Sequence, residues 1–301
     1  MTRIAGDVVA RSRDGVSTRD LSICLFAGGS VVLESGHRLE AEAAWRDLAS
    51  LAERSADATV AIRALEVPAF LGFLDGRLEE ALSLQDSAAA RAREQGLAEG
   101  PLGGFFSVIV RLRLLLYLGL PVDLNFNNPG RVGLAFRALT LAFQGHVDEA
   151  VATRRNFAGI ESSEDETGSL ILLSLLEMSV LAGDKDTAAG LTSRLAPYAA
   201  ALNTNAATSF GRPLGDAAKL LGLPDEARGF YGQAIEVCEK VRFRPELALT
   251  RLGLAELLLD HYPDEHDAAI EHLDFAIAEF QDMKMQPALE RALGRRGLLK
   301  A

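Results

Sequence analysis

The chain is poor in cysteine: Cys24 and Cys238 are the only two in 301 residues, and neither has a partner at metal-ligand spacing. This excludes a disulfide framework and a cysteine-bound metal, and it fits two structural thiols in a reducing, cytoplasmic setting. Aromatic residues make up only 6% of the sequence, and strand-like alternation is nearly missing, which argues against a β-rich fold. Basic residues are in deficit, 31 against 42 acidic for a net charge of −11, with no run of Lys and Arg interleaved with aromatics. Such a field repels a phosphate backbone and excludes direct nucleic-acid binding. Long apolar runs are lacking too. The most apolar stretch, Phe105 to Leu120, carries Arg111 and Arg113 and falls short of the roughly 20 residues a membrane span needs. It reads as a buried helix. Met1 to Gly15 holds Arg3, Asp7, Arg11, Arg13 and Asp14 where a secretory leader would need an apolar core, so neither secretion nor membrane insertion is expected.

What the chain has is a repeated phrase: a helix-breaking residue, an acidic turn, then an alanine. It occurs at Gly36 to Ala41, Gly76 to Ala81, Gly145 to Ala150, Gly183 to Ala188 and Gly222 to Ala227, with a degenerate copy at Tyr262 to Ala269. Successive alanines are 40, 69, 38, 39 and 42 residues apart, so one step is nearly two periods long. Glycine after a helix takes the left-handed cap conformation, and an acidic first turn faces the positive end of the next helix. The phrase is therefore the turn of a helical hairpin. After it, small and large residues fall at offsets of four and three on one helix face, as in Ala41, Trp45, Leu48 and in Ala227, Tyr231, Ala234.

These signals predict helix pairs over residues 18–33 with 39–55, 59–75 with 78–95, 169–182 with 187–200, 206–221 with 225–241 and 245–259 with 267–283. Single helices are predicted over 105–118, 131–143 and 287–299. The stretch 96–144 is less regular, and the run from Pro121 to Gly130 is a loop. The expected fold is all-α, a superhelical solenoid of about six helical hairpins forming a single domain over 1–301.

The hairpin pattern resembles a tetratricopeptide-type array. Over 169–292, and in particular Leu195-Ala196-Pro197-Tyr198, Leu220 to Ala227, Arg244 to Arg251 and Ala255 to Leu259, the chain is similar to the helical tail of bacterial signalling regulators: ATPase-containing adenylate or guanylate cyclases and large LuxR-type regulators. It departs from them at Arg242-Phe243-Arg244-Pro245 and at Met283-Lys284-Met285. It has no Gly-x-x-x-x-Gly-Lys-[Ser/Thr] phosphate cradle, no cyclase-like catalytic domain and no C-terminal recognition helix. The resemblance implies a right-handed array whose first helices line a concave binding face.

Catalysis is not expected. His261, His266 and His272 are spaced by five and six residues and do not share a helix face as a zinc pair would. Glu161 to Glu166 reads as a solvated loop, and no Gly-x-Ser-x-Gly elbow or Cys and His pairing is present. No metal or cofactor is expected. The function expected is a protein-interaction or regulatory module of a bacterial signalling system, taking a protein or peptide partner with Arg212, Asp216 and Lys219 as groove candidates. A small-effector sensor using Asn125, Phe126 and Asn127 in the irregular loop is the alternative, as is a C-terminal piece of an ATPase-linked nucleotide cyclase.

Overall fold

Each copy of the phrase stops one helix and starts the next. Gly36, Gly76, Gly145, Gly183 and Gly222 all have positive φ, from 69° to 88°, where a Cβ would be strained. The alanine that closes each phrase (Ala41, Ala81, Ala150, Ala188, Ala227, Ala269) is 0% exposed, because its small side chain lets the paired helix approach.

The computed structural model describes residues 15–97, 105–122, 130–162 and 164–298. Among these are fourteen α-helices: α1 Thr18–Glu34, α2 Arg38–Arg54, α3 Ala58–Leu74, α4 Leu78–Glu94, α5 Phe105–Leu118, α6 Arg131–Phe143, α7 Val147–Arg154, α8 Ser169–Ala182, α9 Lys185–Leu195, α10 Gly211–Leu221, α11 Pro224–Val241, α12 Arg244–His261, α13 His266–Asp282 and α14 Gln286–Leu298. The fold is an all-α, solenoid-like stack. Consecutive hairpins pack on one another, and the long step in the phrase is explained by α5, a first helix with no second helix after it among the described residues.

That break divides the stack into two arms, α1 to α5 and α6 to α14, and the arms close on each other. The two helices without a hairpin mate, α5 and α14, meet; α3 touches α12. One hydrophobic core runs through both arms, joining Leu25, Phe73, Leu112 and Tyr117 of the first to Phe243, Leu252, Phe280 and Ala292 of the second. Phe73 packs edge-on against Phe243 at 5.2 Å and stacks on Tyr117 at 6.1 Å. The seam is tied by reciprocal arginines. Arg38 donates to the carbonyls of Val241 and Arg242 at the end of α11 (2.9 and 3.3 Å), and Arg244 donates to the Asp75 carbonyl at the end of α3 (3.2 Å). A cation at a helix C-terminus meets the negative end of the dipole. An ordinary repeat array needs polar caps at its ends; here each arm covers the other.

Two local expectations are corrected. Residues 206–210 are not helical: Leu202–Asn203 and Thr208–Ser209 form a two-stranded antiparallel hairpin, and α10 starts at Gly211. Asn203 Oδ1 takes the Ala206 N–H at 2.8 Å, offering the backbone a turn in place of a helix, and Ala207 sits at φ 52°. Helix α9 stops at Leu195, where Pro197 starts a 3-10 turn over Ala196–Tyr198 in place of a helix to residue 200.

Candidate functional site

The first helices of three consecutive hairpins in the second arm, α8, α10 and α12, each carry a charge on the inward face, and these charges pair from one hairpin to the next. Glu177 of α8 meets Arg212 of α10, which meets Glu246 of α12 (Nε to Oε1, 2.9 Å). The first arm adds Arg113 of α5, whose guanidinium grips both Glu177 oxygens, with one bond at 3.0 Å, and donates to the Ala206 carbonyl at 3.2 Å. Two arginines and two glutamates thus form a charge-balanced buried cluster. Glu246 Oε1 also accepts from Thr208 Oγ1 and from Ser209 N and Oγ, at 2.6 to 2.9 Å. Burial raises the Glu177 carboxyl, and Arg113 and Arg212 more than reverse this, leaving it below the usual carboxylate range.

The three groove candidates lie along α10 but are not free. Arg212 is 9% exposed, and its guanidinium is engaged by Glu246, Glu177, Thr208 and Asp216. The expectation that it is presented on an accessible concave face is corrected: the opposite arm fills that face. Asp216 accepts from the Tyr231 hydroxyl at 2.6 Å, and the Tyr231 ring fits over Gly215, where a Cβ would come within 2.6 Å of it. Lys219 reaches Glu256 at 2.8 Å, and Arg291 of α14 holds the same carboxylate. Burial raises Glu256 and Arg291 and Lys219 lower it, with a net depression. Asn125, Phe126 and Asn127 lie outside the described residues. Trp45 is core, 2% exposed, with its Nε1 donating to the Phe26 carbonyl at 3.2 Å.

The inner face is closed by energy as well as geometry. Parting the arms would uncover Phe73, Tyr117, Phe243 and Met283, at about 1.5–3 kcal/mol each. A nanomolar partner supplies about 12 kcal/mol in total. Opening would consume about half of that or more.

Where the end of α1 meets the second arm there is a cleft of about 930 Å³. It lies between the end of α1 (Val31, Glu34, Ser35), the start of α8 (Ser169, Leu172), the end of α9 with its 3-10 turn (Leu195, Tyr198) and the hairpin loop (Leu202, Asn203, Asn205). Local chemistry fixes its walls. Glu34 Oε1 accepts from Thr204 N at 2.9 Å and Thr204 Oγ1 at 2.8 Å, pinning the loop to the first arm. Asn203 donates to Ser169 Oγ at 3.0 Å. Arg194 holds the chain before α8 through the carbonyls of Ile160 and Asp165. Tyr198 and Phe210 pack with ring centroids 5.6 Å apart, and Tyr198 is 55% exposed. Burial raises the Glu34 carboxyl, opposed by the Thr204 hydrogen bonds.

Sequence reasoning missed Glu34, Arg113, Glu177 and Glu246. A signal existed for two of them: Glu177 stands alone in the apolar run Ser169 to Ala182, and Arg212 and Glu246 follow at nearly equal steps of 35 and 34, one hairpin on each time. None existed for Glu34, whose partner is 170 residues away. Among the described residues no group of three or more His, Cys, Asp or Glu is placed to hold a metal, and no helix is long and apolar enough to cross a membrane. No protein-family model matches the chain, and a search of curated proteins finds no significant match.

Proposed function

We propose that this chain is a non-catalytic regulatory binding module, of the kind that bacterial signalling proteins carry as helical repeats, and that it takes a segment of a partner protein in the cleft between α1, α8 and the 200–205 loop. The carrying observation is the contrast between the two concavities. The inner face, where a repeat array would hold a partner, is occupied by the chain's own first arm. The cleft remains open and is lined by side chains from both arms. A ligand there touches Glu34 of the first arm and Tyr198 of the second, so binding is coupled to how the arms are held. A small effector is the second reading, favoured by the volume, which lies in the range of roughly 300–1,000 Å³ that small-ligand pockets occupy.

The test is site-specific photo-crosslinking in lysate. A photoreactive residue replaces Asn205, which is exposed on the cleft wall, or Glu40, which is exposed on the first turn of α2. A polypeptide captured from position 205 and not from position 40 supports the reading. An identical catch from both positions, together with no small molecule retained in native mass spectrometry, overturns it.

A further inference from the structure

The carboxylate at the cleft is in an unusual electrostatic position. Glu34 is the last residue of α1, where the exposed carbonyls make the helix end negative, and α1 has no basic residue in its last turn. An acidic residue there opposes the dipole. Among the described residues it has no salt-bridge partner: the groups that bind it are the neutral N–H and hydroxyl of Thr204, both on Oε1. Arg194, the cation on the opposite wall, is committed to Ile160 and Asp165. Every other carboxylate described above as buried deep between helices, Glu177, Glu246 and Glu256, has an arginine on it. Glu34 has none, and it lines the cleft.

The rest of the wall indicates the chemistry that a cation at Glu34 would carry with it. Val31, Leu172, Leu195 and Leu202 give an apolar lining, and the Tyr198–Phe210 pair presents an aromatic surface at its rim. A bare metal ion is a poor match, since one carboxylate supplies too few oxygens. An organic ammonium on an apolar stem satisfies both features: the charged head neutralises Glu34 and the helix end, and the stem lies against Val31 and the exposed Tyr198 ring.

Resting on the reading of the cleft as the ligand site, we propose that the group recognised there is a primary ammonium on an apolar stem, held by Glu34. A lysine side chain in a partner segment and a free alkylamine share this chemistry. The test uses four probes on the full chain: 1-aminohexane, hexan-1-ol, and an acetylated, amidated tripeptide with either lysine or norleucine at its centre. Binding is read from the amide signal of Thr204, which donates to Glu34, and by titration calorimetry. The ammonium probes are expected to shift Thr204 and to bind at least tenfold tighter than their uncharged counterparts. Glu34→Gln keeps an acceptor for Thr204 and is expected to lose that tenfold preference. Tyr198→Ala, at an exposed position, is expected to weaken both ammonium probes severalfold. Preference for the lysine peptide over 1-aminohexane identifies a protein source, and the reverse identifies a free amine. The proposal is overturned if hexan-1-ol and the norleucine peptide bind as well as their partners or if Glu34→Gln leaves the preference intact. Those outcomes leave the cleft standing as a site; no binding by any probe, with no crosslink at position 205, removes the site as well.

Discussion

The two arms treat buried carboxylates in opposite ways. In the second arm, Glu177 and Glu256 are buried, yet arginine and lysine neighbours hold them below the usual carboxylate range. In the first arm, burial pushes Glu34 up with no cation to oppose it, and pushes Glu66 up to about 7, with Arg63 opposing only in part. The carboxylates of the second arm thus sit on a ladder of cations, from an adjacent hairpin for Glu246 and Glu256 and from both arms for Glu177. The first arm, with fewer repeats, carries acids that its own register does not pair. The same hairpin phrase supports both, so the pairing of a buried carboxylate comes from what packs against its helix, an adjacent hairpin or the opposite arm, and not from the phrase.

The strongest way to break the contrast is to strip the ladder. Glu246→Ala leaves Arg212 facing an incomplete cluster and removes the acceptor of Thr208 and Ser209. The expected loss is about 3–5 kcal/mol, read by urea unfolding. Hydrogen exchange should then rise in both arms together, because the core is shared. Equal protection of α1 to α4 before and after would show that the arms are independent.

Next is the turn glycine. A Cβ at Gly76 would run into Met283 from the other arm, whereas one at Gly183 meets nothing within 4 Å, although both residues have positive φ. Gly183→Ala should cost about 1 kcal/mol, from backbone strain alone. Gly76→Ala should cost about 2–3 kcal/mol, because the seam must also shift. Equal costs in thermal unfolding would mean that the seam is soft.

Acid and base should then strike different arms. The folded carboxyl of Glu66 titrates at about 7, above the roughly 4.3 of an unfolded chain, so its contribution to stability is complete below the lower value and is lost as pH rises through the higher one. Allowing for partial exposure, the loss is about 2 kcal/mol between pH 5 and pH 8.5. Glu66→Gln should abolish it, leaving a flatter stability profile above neutrality. Glu177 and Glu256 act in the reverse sense: their depressed values stabilise above the unfolded pKa, and that contribution disappears as pH falls below it.

The smallest effect is expected on the outer surface. Arg228 pairs with Glu265 one repeat on, at 2.7 Å, but both are well exposed. Arg228→Ala should cost less than about 1 kcal/mol. A larger loss would make the outer rungs as important as the inner ones.

Nearly every hairpin was legible in the sequence, because glycine, acidic turn and alanine are local signals repeated at one period. The bounds of α5, Phe105–Leu118, and α6, Arg131–Phe143, coincide with the sequence reading. The hairpin at 202–209 was not legible, since its cause is a side chain to backbone bond from Asn203 and anchoring by Glu246 far along the chain. The closure of the arms was not legible either. It rests on pairings such as Arg38 with Val241, separated by 203 residues, which leave no period to detect. Arg212 looked like a groove residue because its helix face was read correctly, but what covers that face is encoded a hundred residues away, in Arg113 and its neighbours.

The reciprocal arginine ties also set an order of events during synthesis. Most helical arrays assemble from near neighbours, whereas this seam must close a loop of about 200 residues, at an entropic cost of about 5 kcal/mol. At roughly 5–20 residues per second, the first arm waits on the order of ten seconds or more for Arg244 and Met283 to emerge. For that interval Phe73 and its neighbours lack their cover, so arm docking is expected to come late, and chains that stop short of α12 are expected to expose this apolar surface.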